Sequence, residues 1–376
     1  MHALLQETVS ASRRLGRDPF LVLHGGGNTS VKNEEFLWAK ASGFNLGDLT
    51  EEGLVQLRRA DLQELFARET LSDTEMMTGY TAATVLPAQP APTIEAMLHH
   101  ALPFTSVLHT HADAIVALTD TARGLDLVRE VLGDGVVTVP YVMPGFDLAQ
   151  VASRIWQQSG GIAQALVLQH HGLFTMADTV EEAYALHLDL VGRAEAHFVD
   201  LGVDLRAPFS GQVVPLTPAS GPGAVALIDR LERHTTGPLS ILQCDDREVR
   251  DFLQRPDLDQ LTSRGPTTLE HVIRTKRTPL IGDDVDGYVS SYRAYFDRHR
   301  YADLIMLDPT PRVVLHPELG LLAVAADQRA AQAIMDIYRH TMRVMTAAER
   351  AGGYRTVDES QAFGIEYWEL EQRRLR

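Results

Sequence analysis

The sequence predicts an α/β fold in two domains. Three observations carry this expectation. Short β-branched runs alternate with helical stretches over residues 1–205, residues 206–222 are rich in Pro, Gly and Ser, and the alternation resumes over 223–376. A length of 376 residues fits two domains of ordinary size joined by a linker at 206–222.

The elements follow in chain order. Residues 1–16 read as a helix. Phe20 to Leu23 leads into the glycine run Gly25–Gly27, and Glu35 to Ala39 resumes an extended pattern. Pro92 is expected to open a helix through Leu98, because proline suits a first helical turn. Ser106 to His111 reads as a buried strand, residues 112–122 as a helix, Gly135 to Tyr141 as a strand and Leu148 to Gln158 as a helix. Ala165 to Gly172 is a second apolar strand ending in His and Gly, with a hairpin through Leu173 to Met176. Thr179 caps a long helix from Val180 to about Leu201, with Glu181 and Glu182 in its first turn. Beyond the linker, strands are expected near Leu239–Gln243, Asp303–Leu307, Arg312–Leu315 and Gly320–Val324. Helices are expected near Arg247–Gln254 and Ala331–Ala348.

Bulk properties narrow the function. A net charge of −16 argues against nonspecific binding to nucleic acid or anionic membranes. The single cysteine, Cys244, rules out an internal disulfide and a thiolate metal cage, so any metal site must use His, Asp, Glu and water. No basic leader and no long apolar stretch is evident, which predicts a cytoplasmic protein without a membrane span.

The histidines are the most informative residues. Side chains alternate along a strand, so His109 and His111 point the same way, two residues apart. Two imidazoles so placed grip one metal ion at ~2.0–2.1 Å each, provided a third ligand arrives from elsewhere. The strand ending in His170-His171-Gly172 supplies a candidate. Singly, each of these histidines could be an ordinary hydrogen-bonded residue at a strand end; together they point to a metal. Glu95 could be a ligand, a general base, or simply an acid favoured in a first helical turn. Gly25–Gly27 lets backbone N–H groups approach a phosphate, with Asn28, Thr29 and Ser30 as further donors and Ser42-Gly43 completing a cradle. There is no P-loop, and the loose match at Gly221–Ala226 contains proline and follows no convincing strand, so a dinucleotide site is discounted.

Six segments in order, GGGNTSVK (25–32), KASG (40–43), PTIEAMLHHALP (92–103), VLHTHADAIVAL (107–118), VPYVMPGF (139–146) and QHHGLFT (169–175), make the chain resemble the class II aldolase/adducin family. It is most similar to the aldolase half of bifunctional rhamnulose-1-phosphate aldolase/alcohol dehydrogenase proteins. That likeness extends through residues 265–280, 311–324 and 363–372. The sequence holds no counterpart of their dehydrogenase half, so a stand-alone aldolase part is expected.

The resemblance implies an α/β/α first domain with a central, mainly antiparallel sheet and a C-terminal α/β domain. It implies His109, His111 and His171 as ligands of Zn2+, or of another divalent ion such as Mn2+ or Co2+, and Glu95 as acid/base. It implies Gly27, Asn28, Ser42, Gly43 and Thr93 as phosphate-binding residues. Family enzymes often carry two small hydroxyl residues before the Glu; here Thr93 is followed by Ile94. Tyr141 matches a tyrosine that reaches a neighbouring subunit's site and protonates an aldehyde oxygen, implying a homotetramer. The implied activity is a metal-dependent carbon–carbon lyase that cleaves a ketose 1-phosphate, rhamnulose-1-phosphate-like, to dihydroxyacetone phosphate and an aldehyde. The family also contains sugar-phosphate epimerases, dehydratases and decarboxylases, and non-catalytic modules like the adducin head. His99, His100 and His170 have no ligand role in the pattern. His271 to Arg277 is a basic run in an acidic chain, read as a solvated strand or as intersubunit salt bridges. Alternatively, Arg274 or Lys276 meets an anionic substrate or a partner subunit.

Overall fold

Ser106–Thr110, every residue of it buried, is the middle strand of a seven-stranded sheet. We describe the protein from a computed structural model, covering residues 1–235, 237–301 and 303–369. The chain divides into two compact units, one of Met1–Leu205 with Arg350–Gly353, the other of Arg206–Glu349 and Tyr354 onward.

The first unit contains β1 (Asn28–Lys32), β2 (Phe36–Lys40), β3 (Leu54–Arg58), β4 (Ser106–Thr110), β5 (Val136–Val139), β6 (Ala165–Leu168) and β7 (Gly172–Ala177), in the spatial order β3-β2-β1-β4-β7-β6-β5. All neighbours are antiparallel except β5 and β6, which are parallel. The helices are α1 (His2–Gly16), α2 (Arg59–Phe66), α3 (Asp73–Ala83), α4 (Ala96–Ala101), α5 (Asp113–Thr119), α6 (Gly124–Leu132), α7 (Phe146–Gln158) and α8 (Val180–Asp200). α2, α3, α4 and α7 enclose a core with Leu37, Val107, Leu166 and Phe174. α1, α5 and α8 pack together by β1, β4 and β7, making the α/β/α arrangement. Because helices cover its faces, the sheet lacks the polar alternation of a half-solvated one: β1, β4, β6 and β7 are buried throughout.

Several elements differ from the sequence expectation. Residues 92–95 are not helical; α4 begins at Ala96, with Glu95 as its N-cap. A bridge between Ala41 and Pro92 holds the proline extended instead. The helix expected over 112–122 ends at Thr119, and α6 follows it. The QHHG strand stops at Leu168, so His170 and His171 lie in the turn before β7. β3, α2 and α3 lie in a stretch for which no element was expected; α3 starts with a capping box of Ser72 and Glu75. Thr179 caps α8 as expected, its hydroxyl accepting from Glu182 N–H.

The second unit is built on β8 (Val213–Pro215), β9 (Ser240–Cys244), β10 (Leu280–Ile281), β11 (Val313–His316) and β12 (Gly320–Ala325), ordered β10-β11-β12-β9-β8. Only the β10–β11 pair is parallel. β8 lies within 206–222 and pairs with β9 at the sheet edge, where Pro215 is tolerated. The helices are α9 (Pro222–Glu232), α10 (Arg247–Leu253), α11 (Leu258–Thr262), α12 (Val272–Thr275), α13 (Val285–His299), α14 (Gln328–Arg350) and α15 (Glu359–Glu366). Residues of α14 build one core of this unit, and α9 with the start of α13 contributes to another. Residues 303–307 form no strand, and the basic run is helical over Val272–Thr275 rather than extended. Of the expected segment 363–372, residues 370–372 lie outside the described residues. No described helix is long and apolar enough to cross a membrane.

Candidate active site

β4 delivers His109 from inside the sheet, and His111 follows one residue beyond its end. The turn into β7 delivers His171. The three rings pack edge to face at centroid separations of 4.7, 4.8 and 5.0 Å. One ligand atom from each lies within 4.8 Å of the others, and Nε2 of His109 is 2.9 Å from Nε2 of His111. Gly172 is required by this crowding. A Cβ there would fall 2.2 Å from the Thr110 carbonyl oxygen and 3.1 Å from both the His109 and His111 rings.

The chemistry of this donor set fits a divalent cation. His109 Nδ1 lies 3.0 Å from the Leu173 carbonyl oxygen, which can only accept. That bond puts the ring proton on Nδ1 and leaves Nε2 as a lone-pair donor, the tautomer a metal needs. Burial, and then the neighbouring His111 and His171, hold the His109 pKa well below its ordinary value. Phe174 stacks on its ring at 3.9 Å. His109 and His171 are buried and His111 is half-buried, leaving the group reachable from outside.

Glu95 faces this group from the N-cap of α4. Its Oε2 is 3.5 Å from His109 Nε2 and its Oε1 is 3.4 Å from His171 Nε2. Register sets Asn28 of β1 opposite His109 of β4. Asn28 Nδ2 donates to Glu95 Oε2 at 2.7 Å, and its Oδ1 is 2.5 Å from His99 Nε2. Ser30 Oγ meets His99 Nδ1 at 2.7 Å, and Lys32 Nζ donates to the His99 carbonyl at 2.7 Å. Burial pushes the His99 pKa down to about 3, so this ring is neutral, and burial with Arg59 nearby lowers Lys32 to about 7. The carboxylate is therefore aimed by Asn28, which His99 and Ser30 hold in turn through hydrogen bonds.

Apart from Asn28 in β1, the expected phosphate residues lie on adjoining loops. Ser42 N–H donates to the Ala91 carbonyl and Thr93 N–H to the Lys40 carbonyl, each at 2.8 Å, so the Ser42-Gly43 loop runs beside Thr93. Thr93 is two residues from Glu95, whose N–H reaches its hydroxyl at 3.5 Å. Gly27 has φ +67, and a Cβ there would lie 2.7 Å from the His109 carbonyl oxygen, so glycine lets this loop close on β4. The Asn28 side chain is engaged by Glu95 and His99. Tyr141 follows β5, half-buried, its ring 6.4 Å from that of His170. His170 adopts φ +58 and pairs through Nδ1 with Asp120 at 2.8 Å. Burial raises the Asp120 pKa to about 7.

Sequence reasoning did not single out Lys32, Lys40, Asp120 or His187. Lys40 is buried, which lowers its pKa to about 8, with Glu95 pulling the other way. His187 of α8 joins the Thr110 and Thr175 hydroxyls at 2.7 and 2.9 Å, tying β4 to β7 next to the histidines. The available signal was a polar residue at an otherwise apolar position; it marks such residues as partnered without naming the partner.

Comparison with known proteins identifies the family. Residues 6–198 match the family model for the class II aldolase and adducin N-terminal domain, and residues 226–375 that for the second domain of class II aldolases. A Bacillus subtilis protein described as an uncharacterized oxidoreductase, YuxG, is 27% identical over 99% of this chain. The chain spans 58% of that relative's length. Methylthioribulose-1-phosphate dehydratase from Alcanivorax borkumensis is 30% identical over 39% of this chain and 76% of its own. Among solved structures, the N-terminal class II aldolase domain of a conserved Thermoplasma acidophilum protein is 38% identical. It covers 51% of this chain and 92% of that one, with a TM-score of 0.48.

Proposed function

The chain belongs to the class II aldolase and adducin family, and from that premise we propose that it is a metal-dependent aldolase. Its substrate is a ketose 1-phosphate, rhamnulose-1-phosphate-like, cleaved to dihydroxyacetone phosphate and an aldehyde. The observation that carries this reading is a buried carboxylate, Glu95, held within 3.5 Å of two of three clustered imidazoles. A pure interaction module has no use for that arrangement.

His109, His111 and His171 would hold the cation, zinc by the nitrogen-only donor set, through ring nitrogens. When bound, a divalent ion polarises the ketose carbonyl and stabilises negative charge building on its oxygen. Glu95 moves the proton at carbon. In cleavage the bond between C3 and C4 breaks, the electron pair stays on C3, and Glu95 delivers a proton there; in condensation it removes that proton. Tyr141 exchanges a proton with the aldehyde oxygen at C4. Asn28 and His99 keep Glu95 pointed at the substrate carbon, and Gly27, Ser42, Gly43 and Thr93 take the phosphate. Tyr141 acts in the site of a neighbouring copy within a homotetramer.

A second reading is dehydration of the same substrate class, favoured by the relative named as a methylthioribulose-1-phosphate dehydratase. Incubation with a panel of ketose 1-phosphates separates the two. Aldolase action yields dihydroxyacetone phosphate and an aldehyde, trapped by a coupled reductase. Dehydration yields a dicarbonyl of unchanged carbon count and no dihydroxyacetone phosphate.

A further inference from the structure

The basic run ends in two residues that part company. Lys276, at φ +61, turns inward: its ammonium donates to the Asp308 carbonyl at 2.5 Å and lies 3.3 Å above the Tyr292 ring. Arg277 instead lines a cavity of about 140 Å³ in the second unit, with Tyr288, Tyr292, Tyr295 and Arg298 of α13 and Glu359 of α15.

The chemistry of the lining is lopsided. The Tyr292 hydroxyl is taken by Glu366 and Tyr367, each at 2.7 Å, and the Tyr288 hydroxyl by the Thr278 carbonyl at 2.9 Å. These tyrosines therefore offer the cavity mainly ring surface. Its charged groups converge on one carboxylate. Arg298 donates twice to Glu359 Oε1, at 2.8 and 3.0 Å, His299 Nε2 lies 2.8 Å from that same oxygen, and Arg277 is 3.7 Å from Oε2. Two guanidiniums thus share the Glu359 carboxylate, while Arg277 also donates through Nη2 to the Ser263 carbonyl at 2.9 Å and is attracted to the buried Glu366. Arg277 Nε, moreover, is buried with no hydrogen-bond partner among the described residues. Such a cationic recess stands out in a chain of net charge −16.

We propose that this cavity binds a tetrahedral oxyanion, inorganic phosphate or a small phosphate monoester, apart from the metal-centred site. Guanidinium forks match phosphate oxygens, and two forks from different segments can grip one dianion from two sides. The volume sets the size: usual organic-ligand pockets run to ~300–1,000 Å³, so a nucleotide is excluded. Glu359 is the internal competitor that holds the forks in place until the anion displaces it; half of the Arg298 side chain is exposed, so it is free to swing.

Isothermal titration of the full chain with inorganic phosphate, and separately with glycerol 3-phosphate, tests this. The first unit has its own candidate phosphate cradle, so every variant lies in the second unit and the comparison counts sites. The wild type should bind one more equivalent than Arg277→Gln/Arg298→Gln, and Arg298→Gln alone should bind about tenfold more weakly. Glu359→Gln should bind several-fold more tightly, a gain that misfolding cannot produce. Equal binding of both ligands assigns the site to phosphate itself, and preference for the ester assigns it to a metabolite. Identical stoichiometry and affinity in all four proteins, or weaker binding by Glu359→Gln, overturns the proposal.

Discussion

Asn28 donates to Glu95 across the gap between β1 and α4, at 2.7 Å, while its other amide atom meets His99. A residue that the family resemblance assigns to phosphate thus spends its side chain on the carboxylate. Asn28→Ala should leave Glu95 without its aiming donor. Support of this kind is typically worth about 10–100-fold in activity. The loss should fall on kcat, with metal content and KM near wild type. If KM rises instead and kcat holds, the asparagine serves substrate binding.

Metal retention should depend on backbone room as much as on the ligands. Elemental analysis should find about one divalent ion per chain, zinc foremost, and none in His109→Ala/His111→Ala. Gly172→Ala keeps all three histidines, yet its methyl group would collide with the Thr110 carbonyl and crowd two of the rings. Chelator competition should show affinity down by about tenfold or more. Unchanged affinity would mean that the turn relaxes freely.

The Lys276 ammonium gives a stability test in the second unit. Burial lowers its pKa from 10.5 to about 7, against Glu366 and Asp308, which raise it, while Arg312 lowers it. Between these values the unfolded chain holds a proton that the folded chain has released. Unfolding then takes up protons, so raising the pH stabilises the fold. Relative to Lys276→Met, the wild type should gain of order 1 kcal/mol per pH unit from pH 7 to 9. Chemical denaturation at three pH values measures the difference. A flat difference would show that Lys276 stays charged in the fold.

The His cluster was legible because strand alternation alone sets His109 and His111 on one side. Thr179 was equally legible, since an N-cap is local chemistry. Glu95 lies beside the clustered imidazoles but not inside the helix expected for it: Pro92 pairs with Ala41, a contact 51 positions away that overrides its helix-start preference. Asn28–Glu95 and Thr110–His187 are likewise contacts between distant segments, 67 and 77 positions apart, and no window of sequence contains both partners. The strand expected at 303–307 failed because apolar residues can be used without strand pairing: Leu304, Met306 and Leu307 pack half-buried against an aromatic cluster, while Ile305 is exposed.

The last prediction concerns Glu95 itself. A base beside a polarised ketone should exchange the substrate's carbon-bound proton with solvent even when no aldehyde is present. Glu95→Gln keeps the shape and removes the base. Asn28 Nδ2 can still donate to the amide oxygen, so position is conserved, and the three imidazoles remain to hold the metal. Proton transfer by a positioned group contributes ~10²–10⁴-fold. Deuterium uptake into dihydroxyacetone phosphate, followed by NMR, should fall by at least about a hundredfold in Glu95→Gln while metal content stays level. Undiminished exchange in the variant would move the base to another group and leave Glu95 an N-cap of α4. No exchange in the metal-loaded wild type would remove dihydroxyacetone phosphate as a product and favour the dehydratase reading.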